Sequence, residues 1–200
     1  MHPAPIFREA DTDALLARIR AYPLGLITLN GGPAPLAAHS PVLAARLDDG
    51  SVRLRFHLSA GNPMTHRLEA GAAALIVFTG PEAYISPDWY GPVPDQVPTW
   101  NYLSAEAEGT VVPTDAEAFL DDVSAEFEAR LLPKPTWTRS KMDPAAFARM
   151  VRAIRAFEMV PHRFEGITKL SQNKTPDMRA GVMDALGEHP IAAAMRRSER

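Results

Sequence analysis

The sequence predicts an α+β protein in which short strands come first and helices gather in the last third. Three observations predict it. Val52, Leu54, Phe56 and Leu58 alternate with Arg53, Arg55 and His57, the period-two signature of a half-buried strand. Nineteen prolines, most of them between short apolar segments, favour strands and turns over a helical bundle. Beyond Thr114 the pattern changes, and Phe119, Val123, Phe127 and Leu131 recur at helical spacing.

Residues 11–21 open the chain as a helix, capped by Asp11 or Thr12, with Leu15, Leu16 and Ile19 on one stripe. Tyr22-Pro23 ends it, because the residue before proline is pushed out of the α region. Residues 24–29 read as a strand closed by the turn Asn30-Gly31-Gly32-Pro33. Residues 36–46 are extended despite their alanines, since Pro35 and Pro41 disfavour helix. Asp48-Asp49-Gly50 is a hairpin signal leading into the strand 51–58. Gly61-Asn62-Pro63 breaks that strand, and 64–70 make about two helical turns. Strands over 72–79 and 82–86, a proline-rich loop over 87–98 and a strand over 103–112 follow.

Thr114-x-x-Glu117 has the form of a capping box for the next helix. Asp143-Pro144 places an N-cap before a proline at the first helical position, and Phe147, Met150, Val151 and Ile154 continue as a stripe. A strand over 157–166 is expected next. A helix then opens at Thr175-Pro176 and ends near Gly187, with the last fifteen or so residues expected as a loose helical tail. Two hundred residues without repeats suggest one domain.

Composition excludes several function classes. A formal charge of -3 gives no electrostatic reason to seek nucleic acid or anionic membrane. The absence of cysteine removes disulfides, thiol nucleophiles and thiolate metal sites, and fits a cytoplasmic setting. The first twenty residues carry charges and no apolar run, unlike a signal peptide. The longest apolar run, 72–78, is far short of the roughly 20 residues a membrane helix needs. G-x-G-x-x-G, Walker, H-E-x-x-H and G-x-S-x-G motifs are all missing, and the six histidines are never paired at helical ligand spacing.

Four polar and aromatic clusters remain, each in a turn between elements. In 57–63, His57, Ser59 and Asn62 meet free backbone N–H groups where a strand gives way to a helix, which suits a phosphate. A plain turn with Ser59 or Asn62 as cap is the alternative. Residues 83–90 and 97–102 hold three of the four tyrosines and two of the three tryptophans beside Ser86, Thr99 and Asn101. These groups suit a flat heterocycle with a polar edge, or equally an aromatic mini-core pinning a loop. Lys169 to Lys174 form a polar run that, alone, would be a solvated loop.

Taken together, the motifs Y-I-S-P-x-W-Y, P-T-W-N-Y and K-L-S-Q-N, with His39 in Ala-His-Ser-Pro and the turn His57 to Pro63, resemble the PaiB family. Its members are described as FMN-binding negative transcriptional regulators. The resemblance runs from about Ile6 to Gly181. It implies a six-stranded split β-barrel with flanking helices, FMN as cofactor, and a homodimer with flavin near the subunit interface. Carried over by position, His57, Ser59 and Asn62 are candidates for the ribityl-phosphate end. Ser86, Thr99, Trp100 and Asn101 are candidates for the ring end, and Lys169, Gln172 and Asn173 for closing the site. Where family members tend to carry a basic residue before Asn62, this chain has Ala60-Gly61. Arg55, two residues from His57 and so on the same strand face, is the candidate replacement.

Flavin binding with redox activity is therefore the leading expectation. A direct DNA-binding repressor without turnover is a second reading. Its best support is a stripe of Arg149, Arg152 and Arg155 that also suits a solvated helix face. A haem or B6-vitamer binder on the same scaffold is a third.

Overall fold

The computed structural model describes residues 4–198. The chain divides into two compact units, one built from Met1–Ala21, Thr79–Glu106 and Phe164–Arg200, the other from Tyr22–Phe78 and Ala107–Arg163. The first is called the terminal unit below and the second the central unit. The protein is mixed α+β with a large antiparallel sheet, as the residue pattern predicts.

In the central unit, β2 (Leu24–Leu29) pairs with β3 (Leu36–Pro41) in the hairpin announced by Asn30-Gly31-Gly32-Pro33. Val42, buried, is the only residue between β3 and β4 (Leu43–Arg46), and β4 pairs with β5 (Val52–Ser59) across the Asp49-Gly50 turn. Strand order runs β3-β2-β6-β7-β8-β5-β4, where β6 is Ala73–Ile85, β7 is Thr99–Thr114 and β8 is Ile154–Met159. β3 and β4, the first and last strands of that order, are one nearly continuous stretch of chain. The apolar face of β5 looks inward as the alternation requires: Leu54 and Phe56 are fully buried, and the Phe56 and Phe157 rings lie 5.6 Å apart. The short helix α2 (Thr65–Glu69) follows β5.

A helical excursion separates β7 from β8. In α3 (Ala116–Ala129), Phe119 and Val123 are buried and pack with Ala156 of β8, whereas Leu131 lies past the helix end and is exposed. Its N-cap falls one residue later than the capping-box spacing implies. Asp115 Oδ1 accepts from Ala118 N at 2.9 Å, while Thr114 stays in β7 with its hydroxyl donating to Glu158 at 3.2 Å. Glu117 is thereby at the second helical position, out of capping-box register. In α4 (Pro144–Val151), Asp143 caps as expected, its carboxylate accepting from Ala146 N at 2.8 Å.

The expected strand over 157–166 is two strands. β8 starts earlier, at Ile154, and Val160-Pro161 interrupts the run before β9 (Arg163–Lys169). Ile154 and Arg155 therefore belong to a strand and not to the helical stripe. Conversely, the strands expected over 72–79 and 82–86 are one. Gly80-Pro81 reads as a break in sequence, but a Cβ at Gly80 would lie 2.9 Å from the Leu103 carbonyl oxygen, so the glycine permits a close approach within a continuous strand.

The terminal unit contains β1 (Arg8–Glu9), α1 (Thr12–Ala21), β9, α5 (Pro176–Leu186) and α6 (Pro190–Arg197), with parts of β6 and β7. β9 pairs with β1 and β7. Leu15, Leu16 and Ile19 of α1 are buried, and α5 is capped by Thr175 as its Thr-Pro signal predicts. The C-terminal segment, expected as a loose tail, is instead anchored: Ile191, Ala194 and Met195 of α6 join Ile85, Tyr90, Leu170 and Val182 in one core cluster. The three alanines hid this stripe, in which Ile191 and Met195 are the only large buried side chains. The Glu199-Arg200 end lies outside the described residues.

Candidate functional site

A cavity of about 340 Å³ opens in the terminal unit, lined among others by Phe7, Tyr90, Val97, Thr99, Asn101, Lys169, Ser171, Asn173 and Lys174. Strand alternation decides which residues reach it. Thr99 and Asn101 lie two apart at the start of β7 and both line the cavity, whereas Trp100 between them points elsewhere. Trp100 is half exposed and packs edge-to-face on Tyr84, ring centroids 6.1 Å apart.

The polar run after β9 is a built loop. Lys169, the last residue of β9, donates from Nζ to Thr99 Oγ1 at 2.7 Å and lies 5.6 Å from the Phe7 ring centroid. Ser171 takes a left-handed backbone conformation, φ 58°, rare for a residue with a side chain, and so reverses the chain. Gln172 holds that reversal. Its Oε1 accepts from Leu170 N at 2.6 Å and its Nε2 donates to the Thr168 carbonyl. The Ser171 hydroxyl, buried, accepts from Asn101 Nδ2 at 2.9 Å. Lys174 Nζ donates to Gln96 Oε1 at 2.7 Å and sits 4.8 Å from the Tyr90 ring centroid.

Two features give the cavity its electrostatic character. Among the described residues no carboxylate lines it, and neither Lys169 nor Lys174 is in an ion pair. Burial alone pushes the Lys169 ammonium below the usual lysine range. The Tyr90 hydroxyl is buried without a hydrogen-bond partner. Burial pushes its phenol above the ordinary range, and the nearby Ser171 hydroxyl tempers the shift without completing a bond of normal geometry. Such an orphan is uncommon in a folded protein.

Ser86 does not line the cavity. Its hydroxyl accepts from Asp88 N at 3.3 Å and caps the short 3₁₀ turn Pro87–Tyr90, which positions Tyr90.

In the central unit, the expected phosphate turn makes local bonds. Asn62 Oδ1 accepts from Met64 N at 2.9 Å, Ser59 Oγ accepts weakly from Gly61 N at 3.4 Å, and the Ser59 carbonyl accepts from Thr65 Oγ1 at 2.8 Å. Arg55 is bound to Asp122 of α3 at 2.7 Å. The His57 ring packs 5.5 Å from that of Phe119, its Nδ1 buried without a partner, and burial pushes its pKa below the ordinary histidine value. The arginine stripe is not one face. Arg149 is in α4, Arg152 caps it, and Arg155 is on β8, bonded to Glu69 at 3.0 Å.

Tyr90, Ser171 and Lys174 are site-lining residues that the sequence did not single out. Tyr90 and Ser171 stand inside motifs already noted and Lys174 follows the second, but nothing in a sequence reports that a hydroxyl is buried without a partner. Among the described residues, no group of histidine, aspartate and glutamate side chains gathers as metal ligands, and no helix is long and apolar enough to cross a membrane.

Comparison with known proteins now defines the class. The family described as "Putative FMN-binding domain" matches residues 1–163, and the chain belongs to this PaiB-like family. The matched stretch holds β7 and Tyr90 and ends before Lys169. Among individual relatives, "Protease synthase and sporulation protein PAI 2" of Bacillus subtilis is 25% identical over 194 residues, covering 94% of this chain and 91% of that protein. Two solved structures share the fold. The FAD and heme binding protein from Mycobacterium smegmatis aligns with a TM-score of 0.59 at 19% identity, over 90% of this chain and 80% of that one. The flavocytochrome Anf3 from Azotobacter vinelandii aligns at 0.62 and 14% identity, over 84% and 72%.

Proposed function

We propose that this protein binds FMN on a six-stranded split barrel, and that the cavity of the terminal unit receives one end of the cofactor. The strand order, whose first and last members β3 and β4 are one nearly continuous stretch, supports such a barrel. The observation that carries the reading is the cavity itself, where Lys169 and Lys174, neither of them in an ion pair, line a space bounded by Phe7, Tyr90 and Val97. Its volume lies near the lower end of the roughly 300–1,000 Å³ of ligand sites, enough for part of a nucleotide-sized molecule.

FMN, when bound, supplies the capacity to accept and pass on electrons. The chain's own residues supply position and charge. Thr99, Asn101, Lys169 and Asn173 offer polar contacts, Gln172 and Ser171 fix the loop that carries them, and Ser86 sets the turn that aims Tyr90. Arg55, His57, Ser59 and Asn62 form a separate set for mutagenesis in the central unit. A homodimer belongs to the same proposal, supported by the exposed Tyr84 and Trp100 pair and by Val97, 72% exposed.

The test is a flavin titration of the purified chain. Saturable quenching of FMN fluorescence, or a flavin spectrum released from the isolated protein on denaturation, is the expected result. A colourless protein that takes up no FMN supplied in excess would overturn the proposal.

A further inference from the structure

The helical excursion of the central unit holds an apolar groove that no flavin candidate residue lines. α4 places Phe147, Met150 and Val151 on one face, yet none of its residues is buried and Met150 is 62% exposed. A helix of 8 residues draws its stability from packing its apolar face, so a face left this open is unusual. Two adjoining cavities, of about 410 and 320 Å³, lie against it and share Arg139, Met142 and Phe147. Each falls within the roughly 300–1,000 Å³ of small-molecule sites. The second is walled by Leu120, Trp137, Met142, Phe147, Met150 and Ile154. Trp137 and Phe147 offer aromatic surface, and the two methionines adjust readily to the shape of a guest. The connection between α3 and α4 is tied down, since the Glu128 carboxylate accepts from Lys134 Nζ at 2.5 Å and from Trp137 N at 2.8 Å.

Charge decides the kind of guest. α3 has five carboxylates and no base, and three of them have a cation of their own: Asp122 with Arg55, Glu126 with Arg130, and Glu128 with Lys134. Glu117 and Asp121, one helical turn apart, share a single guanidinium, that of Arg139, at 3.1 and 3.4 Å. Among the described residues no other cation lines either cavity. The groove therefore carries one formal negative charge in excess, beside aromatic faces that attract cations, as Phe147 already does with Arg139 at 5.5 Å from its ring centroid. We propose that this groove binds an organic monocation with a flat apolar body, the body against Trp137 and Phe147 and the cation beside Glu117 and Asp121. The site uses no residue of the flavin proposal and stands or falls separately from it.

The experiment compares three probes with one indole body and different ends, by calorimetry on the full chain at neutral pH: tryptamine, tryptophol and indole-3-propionate. Tryptamine, the ammonium, should bind about two- to fivefold more tightly than the neutral tryptophol, and the carboxylate more weakly than either. Raising salt should shrink the difference between tryptamine and tryptophol. Asp121→Asn leaves Arg139 matched by one carboxylate, so the three probes should bind alike. Glu117→Gln combined with Asp121→Asn leaves Arg139 alone, and the order should reverse in favour of indole-3-propionate. Both carboxylates are exposed on α3, so these variants keep the fold. Phe147→Ala should weaken all three probes about three- to tenfold, which places the body in the groove. Equal affinity of the unaltered chain for the three probes would overturn the inference, as would the absence of binding by any of them. A probe order unchanged in the double variant would overturn it too. A concentration-dependent dimer that Phe147→Ser abolishes, with no probe competing against it, would assign the groove to a second copy of the chain. Should the Phe147 variants fail to fold, the carboxamide variants decide the matter by themselves.

Discussion

Replacing Tyr90 by Phe separates stability from binding in a way few substitutions do. The Tyr90 ring is packed in the core cluster with Ile85, Leu170 and Met195, and phenylalanine keeps that packing. What is removed is a hydroxyl with no hydrogen bond, whose burial costs about 1–3 kcal/mol when unsatisfied. The ligand-free protein should therefore gain stability by a fraction of that, on the order of 1 kcal/mol once the contact with the Ser171 hydroxyl is allowed for. A chain of this size shifts its melting midpoint by about 2–4 °C per kcal/mol. Thermal melts with and without FMN measure both sides. The variant should melt about 2–4 °C higher alone and keep its upward shift with FMN, because the hydroxyl has no surface open to the cavity. A variant that melts lower than the unaltered chain without ligand would refute the reasoning, since the hydroxyl would then already be satisfied inside the protein.

Two further outcomes follow from the same geometry. Arg18 is buried, donating to the carbonyls of Ser104 and Ile167 and to Thr168 Oγ1 at 2.8 Å. Arg18→Met removes the donor from two carbonyl oxygens and should cost about 2–6 kcal/mol in urea unfolding, at about 1–3 for each. An effect under about 1 kcal/mol would show that water reaches those carbonyls. His57 has its pKa lowered by burial, so the unfolded chain binds the proton more readily. Its contribution is complete above the ordinary value near 6.5 and is lost as pH falls below that through the folded value, so stability should decline on mild acidification. In His57→Gln that part of the pH profile should flatten, and an unchanged profile would assign the decline to other groups.

Much of the fold was legible because it depends on periodicity and punctuation. The β5 alternation, the Asn-Gly-Gly-Pro hairpin, the Asp143-Pro144 and Thr175-Pro176 helix starts and the buried stripe of α1 all appear where local chemistry puts them. The departures are places where a distant residue overrides a local signal. Gly80 looks like a break until the Leu103 carbonyl beside it is known, and Thr114 looks like a cap until Glu158 claims its hydroxyl. α6 looked loose because its buried side chains are few, and only the cluster around Val182 and Leu170 gives them something to meet.

The candidate site was legible as clusters and not as a cavity. Thr99, Asn101, Lys169 and Asn173 line one space because β7 and the end of β9 lie close, a relation that seventy residues of separation conceal. Trp100, the most conspicuous member of its motif, faces away from its two neighbours by strand alternation. Charge told least of all from sequence. Arg55 and Lys169 look equally available on paper, and only the structure shows one paired with Asp122 and the other with a neutral hydroxyl.

The most direct measurement is a crystal structure of the chain grown with FMN. Ligand density in the terminal-unit cavity, against Thr99, Asn101 and Lys169, is the predicted result. Well-ordered FMN that leaves that cavity empty would contradict the account.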